Sequence, residues 1–122
     1  MAYIKTYKEL IVWKKSMELV KDIYLLTEKF PRSELYGIIS QMRRAAISIP
    51  SNIAEGYGRK SIKEYSQSYS IAYGSALELE TQLIISRDLR LTDIKEFANS
   101  ESLLIEVLKM LHSMLYTMRT KR

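Results

Sequence analysis

Cysteine is absent from the chain, histidine occurs once, proline twice and glycine four times in 122 residues. Without cysteine there can be no disulfide, no thiolate metal site and no thiol nucleophile. So few glycines and prolines leave too little turn chemistry for an all-β fold, which needs a turn every 8–12 residues or so. A single histidine, His112, cannot supply the paired Glu-x-x-His sets that hold metals inside helical bundles. No apolar run approaches the ~18 residues of a membrane span, and the opening "MAYIKTYKEL" has no apolar leader core. These absences predict a cytoplasmic protein with no membrane partner, no metal and no cofactor.

Helical periodicity is present throughout. Leu10, Trp13, Met17, Val20 and Tyr24 recur at three-four steps, and "KFPRS" ends that segment because Pro31 disfavours helical geometry at Phe30. Ser33 is then placed to cap a second helix, whose apolar line is Leu35, Ile38, Met42, Ala45, Ile49 and Ile53. Pro50 falls inside that line; the spacing resumes at Ile53, so a kink is expected rather than a stop. Gly56 and Gly58 are expected to end the helix in left-handed geometry.

Ser61-Ile62-Lys63-Glu64 forms a capping box opening a third helix, with Ile62, Tyr65, Tyr69, Ala72, Ala76, Leu79 and Leu83 on one stripe. Thr92 and Asp93 open a fourth, with Ile94, Phe97, Leu104, Leu108, Leu111, Leu115 and Met118 on one line. Leu103, Val107, Met110 and Met114 make a second line on the same helix, which predicts burial on both sides, centrally or against another subunit. The expected fold is therefore all-α: one antiparallel up-down four-helix bundle over residues 1–122. Its helices are expected near 8–29, 34–57, 62–89 and 93–119, with the second kinked at Pro50.

The stretch "SIPSNIAEGYGRKS" invites a test as a phosphate loop. It fails, because no glycine stands at the earlier offset a Walker loop needs and no strand precedes it. Charge is more informative. The chain carries +5, and residues 41–63 hold Arg43, Arg44, Arg59, Lys60 and Lys63 against Glu55 alone. With the "RTKR" terminus, this nominates Arg43, Arg59, Lys60, Lys63, Arg119, Lys121 and Arg122 as contacts to a polyanion. A solvated helix surface is the competing reading.

Gln41, Arg44, Ser48, Asn52, Glu55 and Arg59 fall on one polar line of the second helix. Polar groups at a core margin need partners. The favoured reading is a structural network of Gln41, Arg44, Asn52, Glu55 and Glu80, in which Arg44 meets Glu80 or Glu55 while Arg43 faces solvent; a binding groove is the alternative. Tyrosine is abundant, nine in all, and Tyr57 and Tyr73 stand as stacking or interface candidates. His112, on an apolar helix with no acid–base partner at a useful spacing, argues against an enzyme.

"LIVWKKSMELVKDIY", "FPRSELYGIISQMRRAAISIPSNIAEGYGR" and "IAYGSALELETQLIIS" carry a family likeness from Leu10 to Leu89, continuing more loosely through the fourth helix. Together they resemble the bacterial four-helix bundle proteins encoded in intervening sequences of 23S ribosomal RNA genes. That family also includes the accessory variability proteins of diversity-generating retroelements. The resemblance implies a homo-oligomer, a homopentamer in known relatives, with a basic surface. For the retroelement members it further implies binding to RNA or DNA and to a reverse transcriptase. The leading expectation is a non-enzymatic, nucleic-acid-binding accessory protein that works through backbone charge. The alternative is a protein-interaction scaffold, such as a reverse transcriptase accessory subunit, that touches no nucleic acid.

Overall fold

The computed structural model describes residues 6–120. Four α-helices follow one another: α1 (Ile11–Glu28), α2 (Ser40–Tyr57), α3 (Ile62–Asp88) and α4 (Ala98–Thr120), with no strand among the described residues. Cross-helix contacts show that each neighbour runs antiparallel to the last. Between α1 and α4, Lys29 meets Glu96, Asp22 meets Asn99 and Ser100, and Lys15 meets Glu106. Between α2 and α3, Met42 meets Ser86, Ser48 meets Ser75, and Gly56 lies against Tyr69. Contacts close the square α1–α2–α3–α4–α1 in chain order, the up-down arrangement that short links favour.

The core stripes of α2 and α3 match the periodicity along most of their length, although Ile62 at the start of the α3 stripe is exposed. Met42, Ala45, Ile49 and Ile53 face Tyr69, Ala72, Ala76, Leu79 and Leu83, all buried. α1 does not follow its predicted stripe. Its buried line is Val12, Ser16, Leu19, Ile23 and Leu26, while Trp13, Met17 and Val20 are half-buried and Tyr24 is exposed. Ser16 reaches the core because its hydroxyl donates to the Trp13 carbonyl at 2.8 Å, which satisfies it within its own helix. On α4 the two apolar lines are flanks of one broad stripe. Leu104, Leu111 and Leu115 of one line and Leu103 and Val107 of the other are buried together, with Met110 and Met114 half-buried at the edge.

Helix boundaries depart from expectation at several places. The first segment opens as a 3-10 turn, Tyr7–Glu9, before α1, and the fourth as a 3-10 turn, Ile94–Phe97, before α4 begins at Ala98. Ser33 caps nothing: the second helical segment opens as a 3-10 turn, Arg32–Glu34, continues as a π turn, Leu35–Ile39, and becomes α-helical only at Ser40. Gly37 (φ −113°, ψ −116°) breaks the helical geometry there, whereas α2 runs on through Pro50 to Tyr57. Neither Gly56 nor Gly58 is left-handed; Gly58 caps α2 at φ −81°, ψ −5°. The left-handed residue is Arg90 (φ 53°), just beyond α3. Around it Arg90 N–H donates to the Arg87 carbonyl (3.0 Å) and Leu91 N–H to the Ser86 carbonyl (3.1 Å), a Schellman closure.

Gly56 has a different purpose. It is buried inside α2, and a Cβ there would lie 2.5 Å from Tyr69 Cε1. The glycine is what lets the α2 backbone pass under the Tyr69 ring. That ring stacks in turn on Tyr65, with centroids 4.5 Å apart. Burial, and then the neighbouring Tyr65 phenol, hold the Tyr69 phenol well above the ordinary tyrosine range.

Candidate nucleic-acid interface

The α2–α3 turn is built by capping. Gly58 N–H donates to the Glu55 carbonyl at 3.1 Å, closing α2. The Ser61 hydroxyl then accepts from Glu64 N–H (3.2 Å) and donates to the Glu64 carboxylate (3.1 Å), opening α3. Between these caps Arg59 and Lys60 stand exposed, and Lys63 is exposed in the first turn of α3. Arg59 is not free: its guanidinium pairs with Glu55 one turn back and reaches Glu64 at 3.8 Å. Lys60 and Lys63 pair with no carboxylate among the described residues. The turn's available charge therefore sits on two lysines, with Arg59 held in exposed ion pairs worth only ~0.2–1 kcal/mol each. A phosphate can compete with such pairs.

Antiparallel topology brings further cations to this end. The 3-10 turn Tyr7–Glu9 packs on both α1 and α2, and carries exposed Lys8. Exposed Lys109 lines a groove of about 620 Å³ between the start of α1 and the later turns of α4. Leu10, Ile11, Met110 and Met114 form its apolar floor. Met114 also borders a second groove, beside Ile62 and Tyr65 at the start of α3. Sequence reasoning passes over Lys8 and Lys109 because neither belongs to a charge cluster along the chain. Of the C-terminal candidates, the Arg119 side chain, Lys121 and Arg122 lie outside the described residues.

Arg43 is placed elsewhere. It lies near the opposite end of α2, and it is the half-buried member of the pair, not the solvent-facing one. Its Nε donates to the Thr27 hydroxyl at 3.0 Å, and its guanidinium carbon lies 4.4 Å from the Tyr24 ring centroid. Arg44 is the exposed one and meets neither Glu80 nor Glu55. Arg44 borders the α1–α2 side, whereas Glu80 lines a groove with Arg87, Glu101 and Ile105 on the α3–α4 side.

The network that forms is smaller than expected. Asn52 Nδ2 donates to the Ser48 carbonyl (2.8 Å) and hydroxyl (3.0 Å), and Ser48 shares a hydrogen bond with Ser75 (2.8 Å). Glu55 is occupied by Arg59, and Gln41 is exposed.

His112 is exposed on α4, its ring 6.0 Å from that of Tyr73. No cluster of three potential ligands exists among the described residues, and no helix there is long and apolar enough to cross a membrane. Tyr73 is thereby turned toward α4, and Tyr57 is half-buried at the end of α2.

Comparison with known proteins places this geometry. A family model for 23S rRNA-intervening sequence proteins matches residues 8–113. Among solved structures, a protein of unknown function from the S23 ribosomal protein family of Bacteroides thetaiotaomicron superposes with a TM-score of 0.79 at 23% identity. The match covers 86% of this chain and 98% of that one, and shows the shared fold. No curated protein matches the sequence.

Proposed function

The chain belongs to the family of 23S rRNA-intervening sequence proteins, and on that premise we propose that it is a non-catalytic, cytoplasmic accessory protein that binds RNA or DNA as a homo-oligomer. The observation that carries the reading is the α2–α3 turn. Lys60 and Lys63 are presented there by two helix caps, unpaired by any described carboxylate, at the same end of the bundle as Lys8. Ammonium groups of this kind bind the phosphate backbone with little sequence preference.

Exposed apolar side chains support the homo-oligomer. Leu77 and Ile84, seven residues apart on α3, share a face toward α4, where Ile105 joins Ile84 in one groove. Exposed apolar side chains set among Glu80, Arg87 and Glu101 in this way suit an interaction site. A ring of five, as the family likeness implies, repeats each weak phosphate contact five times and strengthens binding through multivalency.

Fluorescence anisotropy with a structured RNA and a DNA duplex, at about 50 and about 200 mM salt, tests the reading. The Lys60→Gln, Lys63→Gln double variant should bind more weakly and reduce the salt slope by about two for each protomer that contacts the ligand, close to one for each phosphate no longer neutralised. Absence of binding at the lower salt overturns it. In that case the apolar seams become the functional surface, and a protein such as a reverse transcriptase becomes the partner to seek.

A further inference from the structure

A groove of about 470 Å³ opens on the α1–α2 side at the end opposite the Lys60–Lys63 turn. Tyr24, Leu35, Tyr36, Ile39, Arg43 and Arg44 account for most of its lining; two arginines contribute and no carboxylate does. Its size falls within the range of small-molecule sites, ~300–1,000 Å³.

Arg43 is prepared for an anion. Thr27, 1% exposed, donates its hydroxyl to the Ile23 carbonyl at 2.7 Å and accepts from Arg43 Nε at 3.0 Å. One face of the guanidinium lies over Tyr24. These two contacts fix the plane of the group, while its terminal nitrogens make no hydrogen bond among the described residues. A guanidinium held in this way loses little freedom on binding, and its fork matches phosphate geometry. Arg44 next to it is exposed and adds a second guanidinium.

Tyr36 completes the set. It is 94% exposed, so it contributes almost nothing to the core. The π turn and the break at Gly37 carry it off the apolar line that Leu35 and Ile39 follow. Its ring is therefore open to a planar partner beside the arginines. Cation and aromatic groups combined in this way form the stacking platforms used by single-strand binders.

The geometry points to this groove as a site for an unpaired nucleotide of a single strand, with the phosphate on Arg43 and Arg44 and the base stacked on Tyr36. The inference rests on the nucleic-acid reading above, and deepens it by adding a contact that duplex cannot satisfy, since its bases are already stacked.

The test compares a 12-nucleotide single strand carrying 2-aminopurine with a duplex of equal length, using wild type, Tyr36→Ala, Tyr36→Phe and Arg43→Gln. Tyr36→Ala should lose about tenfold in single-strand affinity, within the range of one base–aromatic stack, and should abolish the quenching of 2-aminopurine on binding. Its duplex affinity should be unchanged. Tyr36→Phe should retain both affinity and quenching. Arg43→Gln should weaken single-strand binding and lower its salt slope by about one.

If wild type binds both ligands and Tyr36→Ala binds the single strand equally well, the nucleotide site is wrong while the charge-based reading stands. If wild type binds neither, both readings fall. A drop in light-scattering mass on Tyr36→Ala assigns the groove to contact between copies, and overturns the site.

Discussion

Replacing Gly56 by alanine sets two effects of known sign against each other. In an exposed helix interior, glycine to alanine stabilises by ~0.8–1.0 kcal/mol. At Gly56 the added methyl would lie 2.5 and 2.6 Å from the Tyr69 ring and 3.2 Å from Ser68 Cβ. Carbon contacts settle near ~3.5–4.0 Å, so the ring must retreat by about 1 Å. It has little room, being fully buried and stacked on Tyr65 with an interplanar angle of 21°. Overpacking of this kind costs ~1–3 kcal/mol, and a ring with so little room belongs at the upper end of that range, so a net loss of about 1–2 kcal/mol remains after the propensity gain. For a domain of this size that lowers Tm by about 4–8 °C. Gly74→Ala is the matched control: it sits inside α3, and an added methyl would meet no atom within 4 Å, so it should raise Tm by a few degrees. Circular dichroism melts at matched protein concentration decide the matter. A Gly56→Ala protein as stable as wild type would refute the close-approach argument. So would a fully additive double variant with Tyr69→Leu, since removing the ring should relieve the clash.

Two further outcomes follow from single residues. Arg90→Gly should stabilise by about 0.5–1 kcal/mol, because relief of a left-handed side chain outweighs the extra freedom glycine gains in the unfolded chain; a lower urea midpoint would contradict that account of the α3 terminus. Tyr69 is held protonated in the folded state above its ordinary value of 10.0, so the unfolded chain ionises first, and stability should fall as pH rises past about 10. Tyr69→Phe should show a shallower alkaline decline in urea titrations from pH 8 to 11, with little loss at neutral pH, since the buried hydroxyl it removes has no hydrogen-bond partner.

How far the sequence can be read differs from helix to helix, for physical reasons. On α2 and α3 the main buried line is aliphatic or aromatic and spacing finds it, although α3 also buries Ser68, Gln82 and Ser86, which spacing does not find. On α1 two lines satisfy helical spacing. The line that packs includes Ser16, and Thr27 is buried at its end; their hydroxyls bond to carbonyls of their own helix. Apolarity counts against such residues, although their polar groups are already satisfied. Glycine is legible as special but not as to why. Gly56 answers to a ring 13 positions away in the chain, while the left-handed turn falls to Arg90, where backbone closure after α3 decides the conformation. Ser61 is legible because a capping box is a local device, complete within four residues.

The candidate interface divides along the same boundary between local and distant causes. Lys60 and Lys63 can be nominated from their neighbours in the chain. The roles expected of Arg43 and Arg44 are interchanged, because what anchors Arg43 is Thr27 on another helix. That anchoring makes the two ends of α2 unlike. A fixed guanidinium reads the geometry of a phosphate, whereas a lysine on a flexible stem supplies charge wherever the phosphate lies. The interval from Arg43 to Arg59 corresponds to about 24 Å of α-helix. An extended single strand, whose phosphates lie farther apart than the ~3.4 Å axial rise of a duplex strand, spans that distance with about seven phosphates or fewer. A mononucleotide or a tight loop can therefore occupy the Tyr36 groove or the Lys60–Lys63 turn, but not both. A ligand that engages both ends of α2 must be extended, with an unpaired base at the Arg43 end and backbone alone at the other.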